Sequence, residues 1–324
     1  MSKPSNKEAY PFVKWAGGKR QLLIQLKQHL PEILNRGNFT YIEPFVGGGA
    51  MLFYMLQNFP NIKRVFINDI NSYLITAYRT IKNEPDELIE RLSVLERQYF
   101  SLENEEMRKT FFLGAREIFN EERLDDIDRT TFLIFLNRTC FNGLYRVNAK
   151  GKFNVPFGKY LHPTICNEAV IKADSELLNQ ADVIIMDGDF EGTFDCIDKD
   201  GTTFFYLDPP YRPLSATSSF NSYAKEEFDD GEQIRLRNFC QMLDSQLGTY
   251  WMLSNSDCSA IDPNDRFFET IYKDFFFSRV YASRSINAVP TKRGKLSELL
   301  ISNYPPEEYG IRVAEDVEFY NQAI

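Results

Sequence analysis

The stretch Tyr41-Ile42-Glu43-Pro44-Phe45-Val46-Gly47-Gly48-Gly49-Ala50 decides the fold class. It reads as a short strand, a glycine turn and a helix from Met51 onward. Glycines let backbone come close to a ligand at the carboxyl end of a strand, where open α/β sheets bind nucleotides. Val65-Phe66-Ile67-Asn68-Asp69 follows as a second apolar strand ending in an acid, about twenty residues past the glycines, where a ribose hydroxyl is usually held. A tight turn and a helix N-cap would use the same glycines. Strand, turn, helix, strand and acid together favour nucleotide binding, and the glycines lack the dinucleotide spacing expected of a dehydrogenase.

The α/β pattern resumes in the second half of the chain. Val183 to Met186 reads as a strand before Gly188-Asp189-Phe190, Thr203 to Leu207 as another, and Tyr250 to Ser254 as a third before Asn255. Thr270-Ile271-Tyr272 and Leu299-Leu300-Ile301 suit closing strands. Between the two halves the chain reads as helical from about Ser72 to Asn137, because Leu88, Ile89, Leu92, Leu95 and Tyr99 repeat at three and four. This gives an expected division into an α/β domain over 8–75 and 176–304, an inserted helical lobe over 76–175 ending in a basic loop from Arg138 to Tyr160, and an acidic tail over 305–324.

The chemistry is concentrated in Phe204-Phe205-Tyr206-Leu207-Asp208-Pro209-Pro210-Tyr211. The Asp208 carboxylate and the Pro209 carbonyl are acceptors, and a proline offers no competing backbone donor. Both acceptors suit the two hydrogens of an amino group on a flat base, drawing the nitrogen lone pair toward an electrophile while Tyr211 stacks on the ring. Asp-Pro-Pro also simply ends strands. Pro11-Phe12-Val13-Lys14-Trp15-Ala16-Gly17-Gly18-Lys19-Arg20 is an aromatic-rich loop before a helical run from Gln21. Its backbone can approach a carboxylate or phosphate, with Lys19 adding positive charge.

Composition bounds the setting. The 324 residues are 43% hydrophobic and 15% aromatic, enough for a core and two lobes. Five cysteines without a Cys-x-x-Cys pair and only two histidines point to a reduced, cytoplasmic protein with no zinc site. No signal peptide and no long uncharged apolar span is apparent, so no membrane partner is expected. The net charge of −9, from 37 Lys+Arg against 46 Asp+Glu, argues against a uniform attraction to phosphate. The cations are nonetheless clustered: Arg129, Arg138, Arg146, Lys150, Lys152 and Lys159 in one acid-free segment, and Arg279, Arg284, Lys292, Arg293 and Lys295 in another. Two such segments build an electropositive face for nucleic acid.

Taken in order, Phe-Val-Lys-Trp-Ala-Gly-Gly-Lys, Glu-Pro-Phe-Val-Gly-Gly-Gly, Asn-Gly-Leu-Tyr-Arg and Asp-Pro-Pro-Tyr resemble the Dam-type, alpha-group (D12 class) DNA adenine-N6 methyltransferases, from about Pro11 to Tyr304. The resemblance implies a Rossmann-like S-adenosylmethionine-dependent methyltransferase sheet with an inserted helical DNA-recognition lobe, acting on duplex DNA, within GATC, by base flipping. It implies that Trp15, Ala16, Gly17 and Lys19 border the methionine part of S-adenosylmethionine. Glu43, Pro44, Phe45 and Gly47 line the glycine turn, Asp69 holds ribose hydroxyls, Asp189 and Phe190 meet the adenine, and Asp208 borders the cofactor as well as the target.

For DNA the resemblance implies that Phe141, Asn142, Leu144 and Arg146 form a loop in the major groove, with Lys14, Pro156 and Lys159 as further recognition positions and Arg138 in the basic segment. Arg146 and Asn142 have side chains suited to guanine and adenine edges. Lys159 stands where the best-known member has an arginine, and lysine makes no planar fork. The same resemblance covers enzymes of bacterial or phage type that share a target with a restriction endonuclease and solitary ones that serve repair, replication timing or gene control. N4 of cytosine, RNA and a protein glutamine are the chemically neighbouring substrates.

Overall fold

The computed structural model describes residues 8–15, 19, 22–121, 123–214, 228–282 and 296–306. Among them seven strands form one sheet: β1 (Phe39–Glu43), β2 (Ile62–Ile67), β3 (Val183–Ile185), β4 (Thr202–Leu207), β5 (Thr249–Ser256), β6 (Phe276–Ala282) and β7 (Leu296–Ser302), in the order β3-β2-β1-β4-β5-β7-β6. β1 pairs in parallel with both β2 and β4, β2 with β3, and β4 with β5, while β7 runs antiparallel between β5 and β6. The chain leaves β1 in one direction and returns on its other side at β4. The crossovers diverge there, opening a crevice at the carboxyl ends of β1 and β4. This is the Rossmann-like methyltransferase architecture that the motifs imply.

Alternation along the strands sets the two faces. Tyr41, Phe204, Tyr206, Met252 and Leu300 enter one core; Ile42, Phe205, Leu207, Trp251, Leu253 and Ile301 enter the other. Burial on both faces is why β1 and β4 read as unbroken apolar runs rather than as alternating ones.

The helices are α1 (Leu23–Leu26), α2 (Ala50–Asn58), α3 (Ser72–Asn83), α4 (Pro85–Ser101), α5 (Glu105–Phe119), α6 (Asp126–Thr139), α7 (Glu168–Gln180), α8 (Asp230–Asp244) and α9 (Phe267–Ile271). α2, α3 and α7 cover the first face, α8 and α9 the second. α3 packs on both α6 and α7, so one continuous core joins the helical region to the sheet. α6 is buried nearly all round from Thr130 to Asn137, as befits the central helix of a bundle.

Five helices begin with an Asx cap, each accepting from the backbone N–H three residues on: Asn71, Asn104, Asp125, Asn167 and Asp229. α2 has no side-chain cap. Its cap residue is Gly49, at φ 78, so the start of this helix stays bare beside the crevice.

The structure corrects two expectations. Thr270-Ile271-Tyr272 ends a helix rather than forming a strand: Phe268 and Tyr272, spaced by four, both reach the second core, and the Tyr272 N–H donates to the Phe268 carbonyl. The closing strand comes one turn later, as β6. The helical run expected from Gln21 is only α1 followed by a 3-10 turn, Lys27–His29. The acidic tail lies outside the described residues from 307 onward.

Gly49 carries the first prediction. A Cβ there would sit 2.4 Å from the Tyr78 hydroxyl on a left-handed backbone. Gly49→Ala should destabilise the protein by about 1–3 kcal/mol, read as a lower denaturation midpoint. An unchanged midpoint would show that the turn is free to relax.

Candidate active site

β4 delivers Asp208 to the crevice, and three elements fix its carboxylate. Ser254 Oγ on β5 donates to Asp208 Oδ1 at 3.1 Å and shares a hydrogen bond with the Tyr206 hydroxyl at 3.0 Å. Lys19 Nζ stands 3.2 Å from the same oxygen and 3.0 Å from Glu298 Oε2 on β7. Lys19 is 4% exposed and Asp208 19%, so this ion pair is largely withdrawn from water. Lys19 also donates to the Tyr211 hydroxyl, lies 4.0 Å above the Tyr211 ring, and leaves that hydroxyl to donate to Glu298 Oε2 at 2.7 Å. Among the described residues nothing donates to Asp208 Oδ2 or to the Pro209 carbonyl. Burial raises the Asp208 pKa above the ordinary carboxylate value, with Lys19 and Ser254 opposing it.

The rest of the turn is held by groups that sequence reasoning missed. Gln233, buried in α8, donates to the Pro210 carbonyl at 3.0 Å and accepts from Asn255 Nδ2 at 3.1 Å. Asn255 Oδ1 in turn accepts from the Arg212 N–H at 3.2 Å. Arg212 is clamped by Asp230 and Asp265 over the face of Phe267. Buried carboxamides survive only when hydrogen-bonded, and these two satisfy each other while shaping the loop. The available signal was a polar pair, Ser254-Asn255, at the end of an apolar strand.

On the β1 side, the Gly47 N–H donates to Asp69 Oδ2 at 3.0 Å and the Asn71 N–H to Asp69 Oδ1 at 2.9 Å. Asn68, also unforeseen, spans the crevice floor by donating to the Pro44 carbonyl at 3.1 Å and the Gly188 carbonyl at 2.9 Å. Glu43 is 2% exposed and accepts from the Tyr41 hydroxyl at 2.7 Å. Burial raises its pKa well above the ordinary value, and Asp208 and Asp69 add to the rise.

Of the other cofactor positions, Trp15 packs against the glycine turn, its Cδ1 being 3.1 Å from where a Cβ on Gly47 would lie. Phe45 and Phe190 have ring centroids 5.3 Å apart beside Phe228. Asp189 caps the 3-10 turn Phe190–Cys196 and pairs with Arg235, which covers the Phe190 ring. Ala16 and Gly17 lie outside the described residues. The uncapped glycine turn beside Asp69, with the Phe45 and Phe190 rings nearby, is a donor and aromatic set that fits a nucleoside-type group such as S-adenosylmethionine.

The basic loop is a hairpin, bridged between Cys140 and Phe157 and between Val147 and Phe153. Phe141 is 51% exposed, Leu144 and Pro156 are exposed, and Asn142, at φ 56, donates its N–H to the Tyr160 hydroxyl. Lys14 lies over the Tyr160 ring. Arg146 reaches across to Asn154, its Nε 2.8 Å from Oδ1. Lys150 and Lys152 are exposed at the tip. One position departs from the expected face. Arg138 turns to the interior, donating to the Phe12 carbonyl at 2.6 Å, and burial lowers its pKa. Lys159 is paired with Glu105 at 2.8 Å. In the second basic segment Arg279 is bound to Asp257, and the remaining cations lie outside the described residues.

Residues 15–286 match the family described as D12 class N6 adenine-specific DNA methyltransferase. The type II methyltransferase M.MjaIII of Methanocaldococcus jannaschii is 48% identical over 92% of this chain and 100% of its own length. The type II methyltransferase M1.LlaDCHI of Lactococcus lactis subsp. cremoris is 40% identical over 91% and 95%. A DNA adenine methylase of Haemophilus influenzae is 33% identical over 90% and 92%.

Glu43 yields a pH prediction. A carboxyl whose pKa rises on folding binds its proton more tightly in the native state. The stability it contributes is present below its ordinary value of 4.5 and is lost as pH climbs toward the raised value. Glu43→Gln removes that loss. The unfolding free energy of the variant relative to wild type should therefore increase as pH rises above 4.5, measured by denaturation at a series of pH values. A pH-independent difference would contradict the assignment.

Proposed function

Because the chain belongs to the D12 class of N6 adenine-specific DNA methyltransferases, we propose that it methylates adenine within GATC in duplex DNA after swinging the base out of the helix. The observation that carries this reading is that no described residue donates to Asp208 Oδ2 or to the Pro209 carbonyl, two acceptors at the carboxyl end of β4 beside the strand reversal. Methyltransferases of this kind use S-adenosylmethionine, which supplies a methyl group already activated on a cationic sulfur. Glu43, Pro44, Phe45, Gly47, Asp69, Trp15 and Lys19 would border it, with Asp189 and Phe190 at its adenine.

The chain's own work is positioning. Lys19 and Ser254 occupy Asp208 Oδ1, so that Oδ2 is the oxygen left to turn toward substrate. Oδ2 and the Pro209 carbonyl accept the two N6 hydrogens, directing the lone pair along the line of displacement. Tyr211, pinned through its hydroxyl and covered on one face by Lys19, offers its other face to the base. As N6 gains carbon it sheds one proton, to Asp208, whose raised pKa suits that task, or to water. Extrusion costs a few kcal/mol of stacking, which the pocket and an inserted Phe141 offset.

Target choice falls to the hairpin. Asn142 and Arg146 suit adenine and guanine edges, Leu144 and Pro156 add apolar contact, and Lys14 with Lys159 completes the set. Lys150 and Lys152 suit phosphate. Arg138 is left out of this surface because its guanidinium serves the Phe12 carbonyl. The division into an α/β domain over 8–75 and 176–304 and a recognition lobe over 76–175 follows the same split of labour. The type II relatives favour a setting beside a restriction endonuclease that shares the target. No helix among the described residues is long and apolar enough to cross a membrane, which accords with action on DNA in the cytoplasm.

The test is labelled-methyl transfer to duplexes differing at one base of GATC, with the modified nucleoside identified. N6-methyladenine only in the intact site is expected; N4-methylcytosine, or label on RNA or a protein glutamine alone, would overturn the reading. Asp208→Ala should lower turnover by at least about 10²–10³-fold with duplex binding retained. Arg146→Ala should reduce discrimination between cognate and altered duplexes by about 1–3 kcal/mol; equal loss on every duplex would make it a phosphate contact.

A further inference from the structure

Tyr145 belongs to none of the roles assigned above, yet it joins the recognition hairpin to a wall of the cofactor crevice. Its ring stacks on Trp15, with centroids 5.2 Å apart and planes inclined by 26°. On the hairpin side it packs against Phe153 of the opposite arm, centroids 5.9 Å apart. Trp15 in turn touches the glycine turn: a Cβ on Gly47 would lie 3.1 Å, and one on Gly48 3.3 Å, from Trp15 atoms.

The backbone beneath this contact is fixed. Asn137, 2% exposed at the end of α6, accepts from the Lys14 N–H and donates to the carbonyls of Lys14 and Gly143, all at 2.8 Å. One carboxamide therefore sets the spacing between the N-terminal loop and the hairpin turn. Gly143 completes the fit, since a Cβ there would come within 2.6 Å of the Lys14 side chain. A hairpin that shifts on engaging a duplex presses Tyr145 against Trp15, and Trp15 against the glycine turn.

We propose that Tyr145 is a positioning residue that couples duplex engagement at the hairpin to cofactor affinity, through its stack on Trp15 and the packing of Trp15 on the glycine turn. The inference rests on the proposed function, since it needs both a duplex and S-adenosylmethionine as ligands. Energetic coupling between two sites is reciprocal and is measured as the factor by which one ligand changes the dissociation constant of the other. A route of packed side chains becomes a coupling only when that factor responds to mutation.

The experiment measures duplex binding with and without S-adenosylhomocysteine, and S-adenosylhomocysteine binding with and without duplex. The duplex is the one methylated in the preceding panel. Wild type should show the same coupling factor in both directions, on the order of 5–150-fold. Tyr145→Leu should bring the factor to within about twofold of unity while each isolated affinity still registers, and Tyr145→Phe, which keeps the ring, should retain most of it. An unchanged factor in Tyr145→Leu, or a wild-type factor of one, overturns the inference. In a readout that needs no variant, duplex binding should slow hydrogen exchange at Gly47 to Gly49 of the wild type in the absence of cofactor, and no change there counts equally against it. Absence of duplex or cofactor binding altogether would instead be a failure of the proposed function.

Discussion

A buried ammonium organises this molecule. Lys19 holds its charge between Asp208 and Glu298, against the ring and hydroxyl of Tyr211. Taking charges out of water is costly unless partners and hydrogen bonds replace the solvent. The partners here come from the N-terminal loop, the turn after β4 and the antiparallel β7, so the sheet, the loop and the catalytic turn must be correctly assembled before the charges are satisfied. The active site is consequently a product of the whole fold, and its stiffness is inherited from the pairing of β5 with β7.

Carboxamides do for the backbone what Lys19 does for the charges. Asn68 ties the end of β2 to the loops after β1 and β3, Gln233 with Asn255 shapes the turn after β4, and Asn137 joins the N-terminal loop to the hairpin. Each spans segments distant in sequence and uses its donor and its acceptor ends in different ways. Together they bind the irregular loops that converge at the crevice. They also explain how a site that demands an open glycine turn and an uncapped α2 remains compact.

The parts of this arrangement readable from sequence are those governed by local rules. β1, β4 and β5 are visible because strands buried on both faces leave apolar runs, and β1, β2 and β4 because an acid stands at or just past the end of each: Glu43, Asp69 and Asp208. The helical lobe was visible from its spacing of three and four. Thr270-Ile271-Tyr272 reads as a strand although it ends a helix, because a three-residue apolar run has no period long enough to tell helix from strand. Arg138 counted toward a basic face although it serves the interior, since a charge tally carries no direction. The pairing of Lys19 with Glu298 joins residues 279 positions apart, and no local pattern announces it. Buried Asn137 looks the same in sequence as an exposed asparagine on the same helix.

The placement of β7 between β5 and β6 bears on how the enzyme comes into being. β6 is made first but cannot join the sheet until β7 has been laid down between it and β5, and Glu298 travels on that inserted strand. A chain still emerging from the ribosome therefore carries Lys19, the hairpin and the turn after β4 before the second carboxylate of the Lys19 cluster exists. Polypeptides that stop short of β7 leave that buried ammonium with one carboxylate in place of two.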